Sequence, residues 1–325
     1  MTAEAQRLSS AYPDQPTRSP WLAQLAEDGS PRPLDGDVTT DVAIVGAGIA
    51  GVATAFFILR HTAHTLLLVE RDRVAHGATG RNAGQMTTYF ERPLAAIADE
   101  FGAERAVAGQ RAFDTAHDLF DLIVAESGAP GRVERFDGHM GMFNLHHLEV
   151  HVRNNLIRRQ EGWRTERCLI AETADFLDDL PATFDGLYEV VPRERISELL
   201  EIDDDRFCAV LSDLKGCANS GLLSQHVLGY LERHYAGRFR FVDHTQVTHI
   251  TIGEDRAGLR ASGHDISAGS VVLCTNGFVD HAVVDGTGSP VRLAPDQEIT
   301  GRVAYMAAFV EGEPRTPIAM IVLRM

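Results

Sequence analysis

Two glycine-rich stretches carry most of the chemistry this sequence can offer: GAGIAG at 46–51 and GATGRNAGQ at 77–85. The first has GxGxxG spacing. A tight turn at Gly46, a bare backbone at Gly48 for an approaching phosphate and close helix–strand packing at Gly51 are what that spacing is for. A helix opening here presents unpaired N–H groups and its positive end to an anion. Glu70 stands roughly 20 residues downstream. Its carboxylate would accept both hydroxyls of an adenosine ribose and would repel a 2′-phosphate. A glycine-rich turn that served packing alone would leave Glu70 unexplained, so the pair predicts dinucleotide binding. In the second stretch Gly77, Gly80 and Gly84 enclose Arg81 and Asn82. The residues alone leave two readings open. One is an ordinary helix-starting turn. The other is a polar turn whose backbone at Ala83, Gly84 and Gln85 reaches past the phosphates of a longer cofactor.

The elements that must position these loops are legible around them. DVAIV (41–45) and LLLVE (66–70) read as buried parallel strands, and VATAFFILRH between them has helical apolar spacing. Together they form a βαβ unit of about thirty residues. Further on, 103–128, 147–162 and 222–234 read as amphipathic helices and 139–145 as a strand. The stretch 163–215 is acidic and mixed, with many short elements. RFRFVD, VTHITI, AGLRAS and SVVLC (238–274) form a strand cluster with turn signals between them. Strands of a second sheet are expected over 286–325. Residues 1–37 form a polar, Pro-bearing surface arm that Trp21 and Leu22 would pin to the body.

The composition narrows the function classes. The chain has 325 residues, 44% of them hydrophobic, enough for two domains with sizeable cores. A formal net charge of −16 argues against nucleic acid as a partner and leaves cationic small molecules such as amines as candidates. Cys168, Cys208, Cys217 and Cys274 show neither a CxxC pair nor metal-ligand spacing, so reduced thiols, no metal site and a cytoplasmic location are expected. No signal peptide or membrane span is read from the sequence.

VAIVGAGIAGVATA, LLLVE and GATGRNAGQ taken together resemble the D-amino-acid oxidase superfamily of FAD-dependent oxidoreductases. The closest resemblance within it is to the glycine/sarcosine oxidase-like and gamma-glutamylputrescine oxidoreductase-like branch. GAERAVAGQRAFDTA, GCANSGLLSQHVLGYL, TQVTHI and VVLCTNGF extend the likeness, so that it covers about residues 38–300. It implies an α/β fold: a Rossmann-like FAD-binding domain (38–130 and 219–285) interleaved with an α+β substrate domain (131–218 and 286–325) built on a mostly antiparallel sheet. It also implies FAD as cofactor. The contacts carried over by position are Gly46, Gly48, Ile49, Gly51, Glu70, Arg71, Thr79, Gly80, Arg81, Asn82, Ala83, Gly84, Gln85, Met86, Val247, Cys274, Thr275 and Asn276. Val247 would hold adenine through its backbone. Cys274 replaces a small apolar residue and reads as a packed thiol, not a flavin attachment point.

The implied reaction moves a hydride from the carbon beside an amine to flavin N5, and water then hydrolyses the imine. Such chemistry asks for a neutral amine, a dry pocket and accurate placement of the C–H bond rather than a strong side-chain base. No catalytic side chain is therefore singled out. The same site would serve an oxidase or a dehydrogenase with another electron acceptor. The family has a further C-terminal part beneath the flavin ring, which this chain looks to lack. A missing segment or a partner chain is therefore expected to complete the site, and a chain inactive without that partner is the alternative. An NAD-binding Rossmann protein is a third reading. Among other residues, His61 and His64 and Asp203 to Asp205 read as solvated groups, His146 and His147 are adjacent and so do not share one helical face, and His76 reads as a non-covalent neighbour of the second loop. Arg302 and Tyr305 fall on an expected strand of the substrate sheet.

Overall fold

The computed structural model describes residues 19–26, 29–87, 90, 92–129, 134–277 and 281–291. In chain order it contains β1 (Val38–Val45), α1 (Ile49–His61), β2 (Leu66–Val69), β3 (Gln85–Met86), α2 (Leu94–Phe101), α3 (Ala103–Ser127), β4 (Glu134–Met142) and α4 (Leu145–Gln160). These are followed by β5 (Arg167–Ala171), β6 (Glu189–Val191), α5 (Arg193–Leu200), β7 (Ala209–Cys217), α6 (Ser220–His234), β8 (Phe239–Val242), β9 (Val247–Ile252), β10 (Ala257–Ala261), β11 (His264–Leu273) and β12 (Ala282–Asp285). The described residues fall into two compact units. One takes 19–83, 123–129 and 219–291, and the other takes 84–122 and 134–218.

The first unit is a Rossmann-type sheet. Its strand order is β12-β9-β10-β11-β1-β2-β8. The β11-β1-β2-β8 half is parallel, β10 runs antiparallel to both β9 and β11, and β12 pairs parallel with β9. All four residues of β2 are buried, as a strand covered on both faces requires. One face of the sheet packs Ala43, Val45, Leu67 and Val69 with Ile250, Leu259 and Ile266 into a single core. Helices α1 and α6 pack together, with the Phe56 and Tyr230 ring centroids 6.0 Å apart.

The second unit is α+β. Strand β7 is its hub, pairing antiparallel with β3, β4 and β5, and only the β5–β6 pair is parallel. Alternate residues of β5 feed two different cores. Cys168 and Ile170 join Leu148 and Val152 of α4, while Leu169 and Ala171 join Ile196 and Leu200 of α5. A strand buried on both faces loses the apolar–polar alternation that would announce it. The acidic 163–215 stretch thus holds β5, β6, α5 and β7, of which the sequence reading identified none. β7 was hidden because Asp213 and Lys215 interrupt it, yet Lys215, the single lysine, is only 8% exposed. Helix α4 begins two residues earlier than its pattern suggests because the Asn144 side chain accepts the His147 N–H at 3.0 Å. The strands expected over 286–325, with Arg302 and Tyr305, lie beyond the described residues except for 286–291. Those few residues follow β12, and they include Pro290, which bridges back to Val284.

His151 of α4 gives the second unit a defined pH response. Burial, reinforced by the cations Arg158 and Lys215 and by His147, pushes its imidazole down to about 4 from an ordinary value near 6.5. Between those values the unfolded chain binds a proton that the folded chain refuses. Stability is therefore complete above about pH 6.5 and falls as pH drops toward 4, by about 3 kcal/mol in total. Urea unfolding followed by Trp163 emission should show His151→Gln losing about 2–3 kcal/mol less than wild type between pH 7 and pH 4.5. Equal losses in the two proteins would refute this.

Candidate dinucleotide-binding site

Parallel pairing aligns the carboxyl ends of three strands in the first unit. Val45 is level with Val69 on one side and with Leu273 on the other. Backbone bonds carry the alignment one residue further: Gly46 N–H donates to Val69 O (2.8 Å) and Cys274 N–H to Val45 O (2.8 Å). The loops after β1, β2 and β11 therefore meet at one edge, where open α/β sheets bind ligands. A cleft of about 660 Å³ lies there. Its lining includes Gly46, Gly48, Ile49, Glu70, Arg71, Thr79, Asn82, Val247, Cys274, Thr275 and Asn276.

The first loop is shaped by what its glycines leave out. Gly46 has φ +104°, and a Cβ on it would stand 2.6 Å from the Cys274 carbonyl oxygen. A Cβ on Gly51 would collide with the Gly46 carbonyl, so this glycine sets how closely α1 lies on the loop. The first helical bond of α1 runs from Val52 N–H to Gly48 O. The preceding N–H groups thus have no intrahelical acceptor, the arrangement that binds anions. One of them, Ile49 N–H, donates to Thr79 Oγ1 at 2.9 Å.

Glu70 does two things at once. Its Oε2 accepts the Ala47 N–H at 2.7 Å and its Oε1 accepts the Asp72 N–H at 3.0 Å. Each carboxylate oxygen keeps a second lone pair for a ribose hydroxyl. The Glu70 carbonyl in turn accepts the Thr245 N–H (2.9 Å), which draws the β8–β9 connection, with Gln246 and Val247, to the same end of the cleft.

The second glycine stretch is bolted to the first. It forms a short 3₁₀ turn, Ala78–Gly80. The Asn82 amide donates to Thr79 O (2.8 Å), Ala78 O (3.2 Å) and Ser220 Oγ (2.8 Å), and Ser220 Oγ–H donates to Thr79 O (2.6 Å). Thr79 is thereby held where its hydroxyl meets the start of α1. Asn276 turns the chain after β11 with φ +55°. The Cys274 thiol shares a hydrogen bond with Thr54 of α1, and burial pushes it up from its ordinary range, so it has little thiolate character.

Of the positions named from sequence, Gly51, Gly80, Arg81 and Ala83 belong to the same unit without lining the cleft, while Gly84, Gln85 and Met86 belong to the second unit. Sequence reasoning did not name Asp72, Thr245, Gln246 and His281, which also line it. His281 Nε2 is buried and has no hydrogen-bond partner among the described residues, a ring nitrogen left over for a ligand. Bare glycine backbone, a helix start, a carboxylate with spare lone pairs and that imidazole suit a nucleotide bearing a pyrophosphate.

The groups read earlier as solvated are not among the residues lining this cleft. His64 lies 3.8 Å from Asp41, His61 stacks on Phe57, and Asp204 is held down at about 2 by Arg206. Among the described residues there is no group of three or more His, Cys, Asp or Glu side chains that could hold a metal, and no helix long and apolar enough to cross a membrane.

Comparison with known proteins agrees with this architecture. Over 73 residues the chain is 32% identical to gamma-glutamylputrescine oxidoreductase of Escherichia coli (strain K12), a match covering 22% of this chain and 17% of that protein. The structure is similar in fold to L-proline dehydrogenase from P. horikoshii (TM-score 0.52, 14% identity, 74% of this chain and 54% of that one). It is similar likewise to L-amino acid deaminase from Proteus myxofaciens (TM-score 0.50, 16% identity, 77% and 48%). The chain thus spans about half the length of these two solved structures. Residues 41–319 match the family described as "DAO: FAD dependent oxidoreductase", and with that match covering well over half its length the chain belongs to the DAO family of FAD-dependent oxidoreductases.

Proposed function

We propose that the chain holds FAD in the cleft of its first unit and takes part in oxidising the C–N bond of an amine or amino acid. The convergence of three strand ends carries this reading, because it puts Gly46 to Ile49, Glu70 and Cys274 to Asn276 around one cleft. The start of α1 would receive the pyrophosphate. Glu70 would accept the adenosine ribose hydroxyls while tying its own loop to Ala47 and Asp72. The backbone of Val247 would meet the adenine, and Thr79 and Asn82 would continue the wall along the cofactor. Bound FAD supplies the acceptor for a hydride from the carbon beside the amine, and the resulting imine is hydrolysed by water. The second unit, with its antiparallel sheet, is the counterpart that would carry the substrate. A side-chain base is not required of this chain, because a neutral amine already has the lone pair that drives hydride loss.

The test is an absorbance spectrum of the purified protein, supplemented with FAD where needed, and then an anaerobic titration with a panel of amines and amino acids. Flavin absorbance that bleaches with a member of the panel is the expected outcome, and recolouring in air separates an oxidase from a dehydrogenase. A colourless protein that ignores FAD and binds NADH tightly would sink the reading.

A further inference from the structure

The segment ahead of β1 is tied down at both ends of the cleft. At one end, the Trp21 indole N–H donates to the Asn82 carbonyl at 2.5 Å, and the Asn219 amide donates to Trp21 O at 3.3 Å. Leu22 fills the space where a Cβ on Gly80 would sit, its Cγ 2.8 Å from that point. In mid-course, Gln225 of α6 accepts the Ala26 N–H at 3.0 Å. At the other end, Arg32 N–H donates to Asp243 Oδ1 (2.7 Å), Asp243 N–H to Arg32 O (3.0 Å), and Leu34 N–H to Thr245 Oγ1 (3.0 Å). Asn82 and Thr245 both line the cleft.

Two features separate this from incidental packing. Gly80 lies in the second glycine stretch but not on the cleft, and what excludes a side chain from it is Leu22 together with the Ala75 carbonyl, 2.5 Å from the same point. A bare backbone at Gly80 therefore makes room for Leu22 as well as for the Ala75 carbonyl. Moreover, Trp21 holds a carbonyl whose peptide bond is trans, since the chain contains no cis peptide among the described residues. In a trans peptide the C=O and the following N–H point to opposite sides. Fixing the Asn82 carbonyl on Trp21 therefore fixes the Ala83 N–H on the side away from the strap.

We propose that residues 19–26 and 29–34 form a strap and that Trp21 is a positioning residue for the cofactor: through Asn82 it orients the second glycine turn so that its backbone meets the part of FAD beyond the adenosine diphosphate. The proposal rests on FAD occupying the cleft. Removing the indole N–H alone should weaken FAD without weakening ADP, because ADP reaches only the first loop, Glu70 and Val247. A single neutral hydrogen bond is worth about a five-fold change.

The experiment compares FAD and ADP affinities of the cofactor-stripped protein by titration calorimetry for wild type, Trp21→Phe, Trp21→His and Gly80→Ala, with thermal melts as a folding control. About five-fold weaker FAD binding in Trp21→Phe with ADP unchanged, partial recovery in Trp21→His with its ring N–H, and the same FAD-selective loss in Gly80→Ala would support the strap. Equal weakening of both ligands would reduce Trp21 to a structural residue and overturn the proposal, as would unchanged FAD affinity. Should Trp21→Phe fail to fold, Gly80→Ala decides, because displacing Leu22 also shifts the neighbouring indole away from the Asn82 carbonyl. Wild type that binds ADP but not FAD overturns the FAD reading and the strap with it. Wild type that binds FAD normally while every variant matches it overturns the strap only.

Discussion

Arg158→Ala is expected to cost the second unit about 3–5 kcal/mol, the largest effect of any single change considered for this unit. Arg158 and Glu166 form an ion pair at 2.8 Å with side chains only 4% and 5% exposed. The surroundings are built for the pair. Asn155, fully buried, exchanges two hydrogen bonds with the backbone of Glu166 (2.8 and 2.9 Å), and the Arg158 guanidinium lies over the Trp163 ring at 4.8 Å. Burial already pushes the Glu166 carboxyl above its usual range, opposed by Arg158. Removing the guanidinium leaves that carboxylate without its counter-charge in a dry place, and the desolvation cost is then uncompensated. The same logic predicts that Arg158→Met with Glu166→Leu costs much less than either single loss, since the double change also removes the need for charge compensation. Chemical denaturation followed by Trp163 emission reads this directly. A double variant as unstable as the sum of the two single ones would show that the pair's worth lies in packing and not in charge.

Gly46→Ala should cost the first unit about 2–4 kcal/mol and abolish flavin retention. Two penalties act together. At φ +104° an alanine is forced into backbone space that L-residues avoid, worth about 1–3 kcal/mol. Its methyl group would also press on the Cys274 carbonyl at 2.6 Å, and that carbonyl belongs to the chain leaving β11 and has no side-chain freedom with which to yield. Relief would require β1 and β11 to part where Cys274 N–H donates to Val45 O. The loop after β1 and the turn at Thr275 and Asn276 would then both shift, so the cleft would lose two walls at once. Thermal melts and flavin content of the purified variant check this. A variant that kept its colour and its melting temperature would mean that the loop relaxes at little cost, contrary to the packing described.

What could be read from the chain alone was what depends on neighbours in sequence. The first glycine loop, the strands on either side of it and Glu70 lie within one βαβ unit, where spacing dictates geometry, and the structure has them in the register that spacing implies. The family was legible for the same reason. The role of the second glycine stretch was not. Its residues allowed two readings, and the structure ties it to α1 through Thr79, to α6 through Ser220 and to the strap through Trp21. Each of these partners is distant in sequence. Gly80 was named from its place among other glycines, and what the structure adds is that the space for a Cβ on it is taken by Leu22, 58 positions earlier, and by the Ala75 carbonyl. His281 carried no local signal at all, since a single histidine after a turn has no spacing to interpret.

The second unit marks the same divide from the other side. Strand β7 pairs with three others and carries Asp213 and Lys215, charges that a local pattern assigns to a loop. They are tolerated within a strand because each meets opposite charge: Asp213 contacts Arg164 at 3.2 Å, and Asp213 and Glu166 offset the burial of Lys215. Sequence by itself determined the first glycine loop, the parallel strands that carry it and the acid at the end of the second, because backbone geometry over a few tens of residues leaves little choice there. Tertiary structure decided which polar groups are buried, which glycines line the cleft and which pack against a distant segment, and what holds the second turn in place. Those outcomes depend on desolvation and on contacts between segments that only folding brings together.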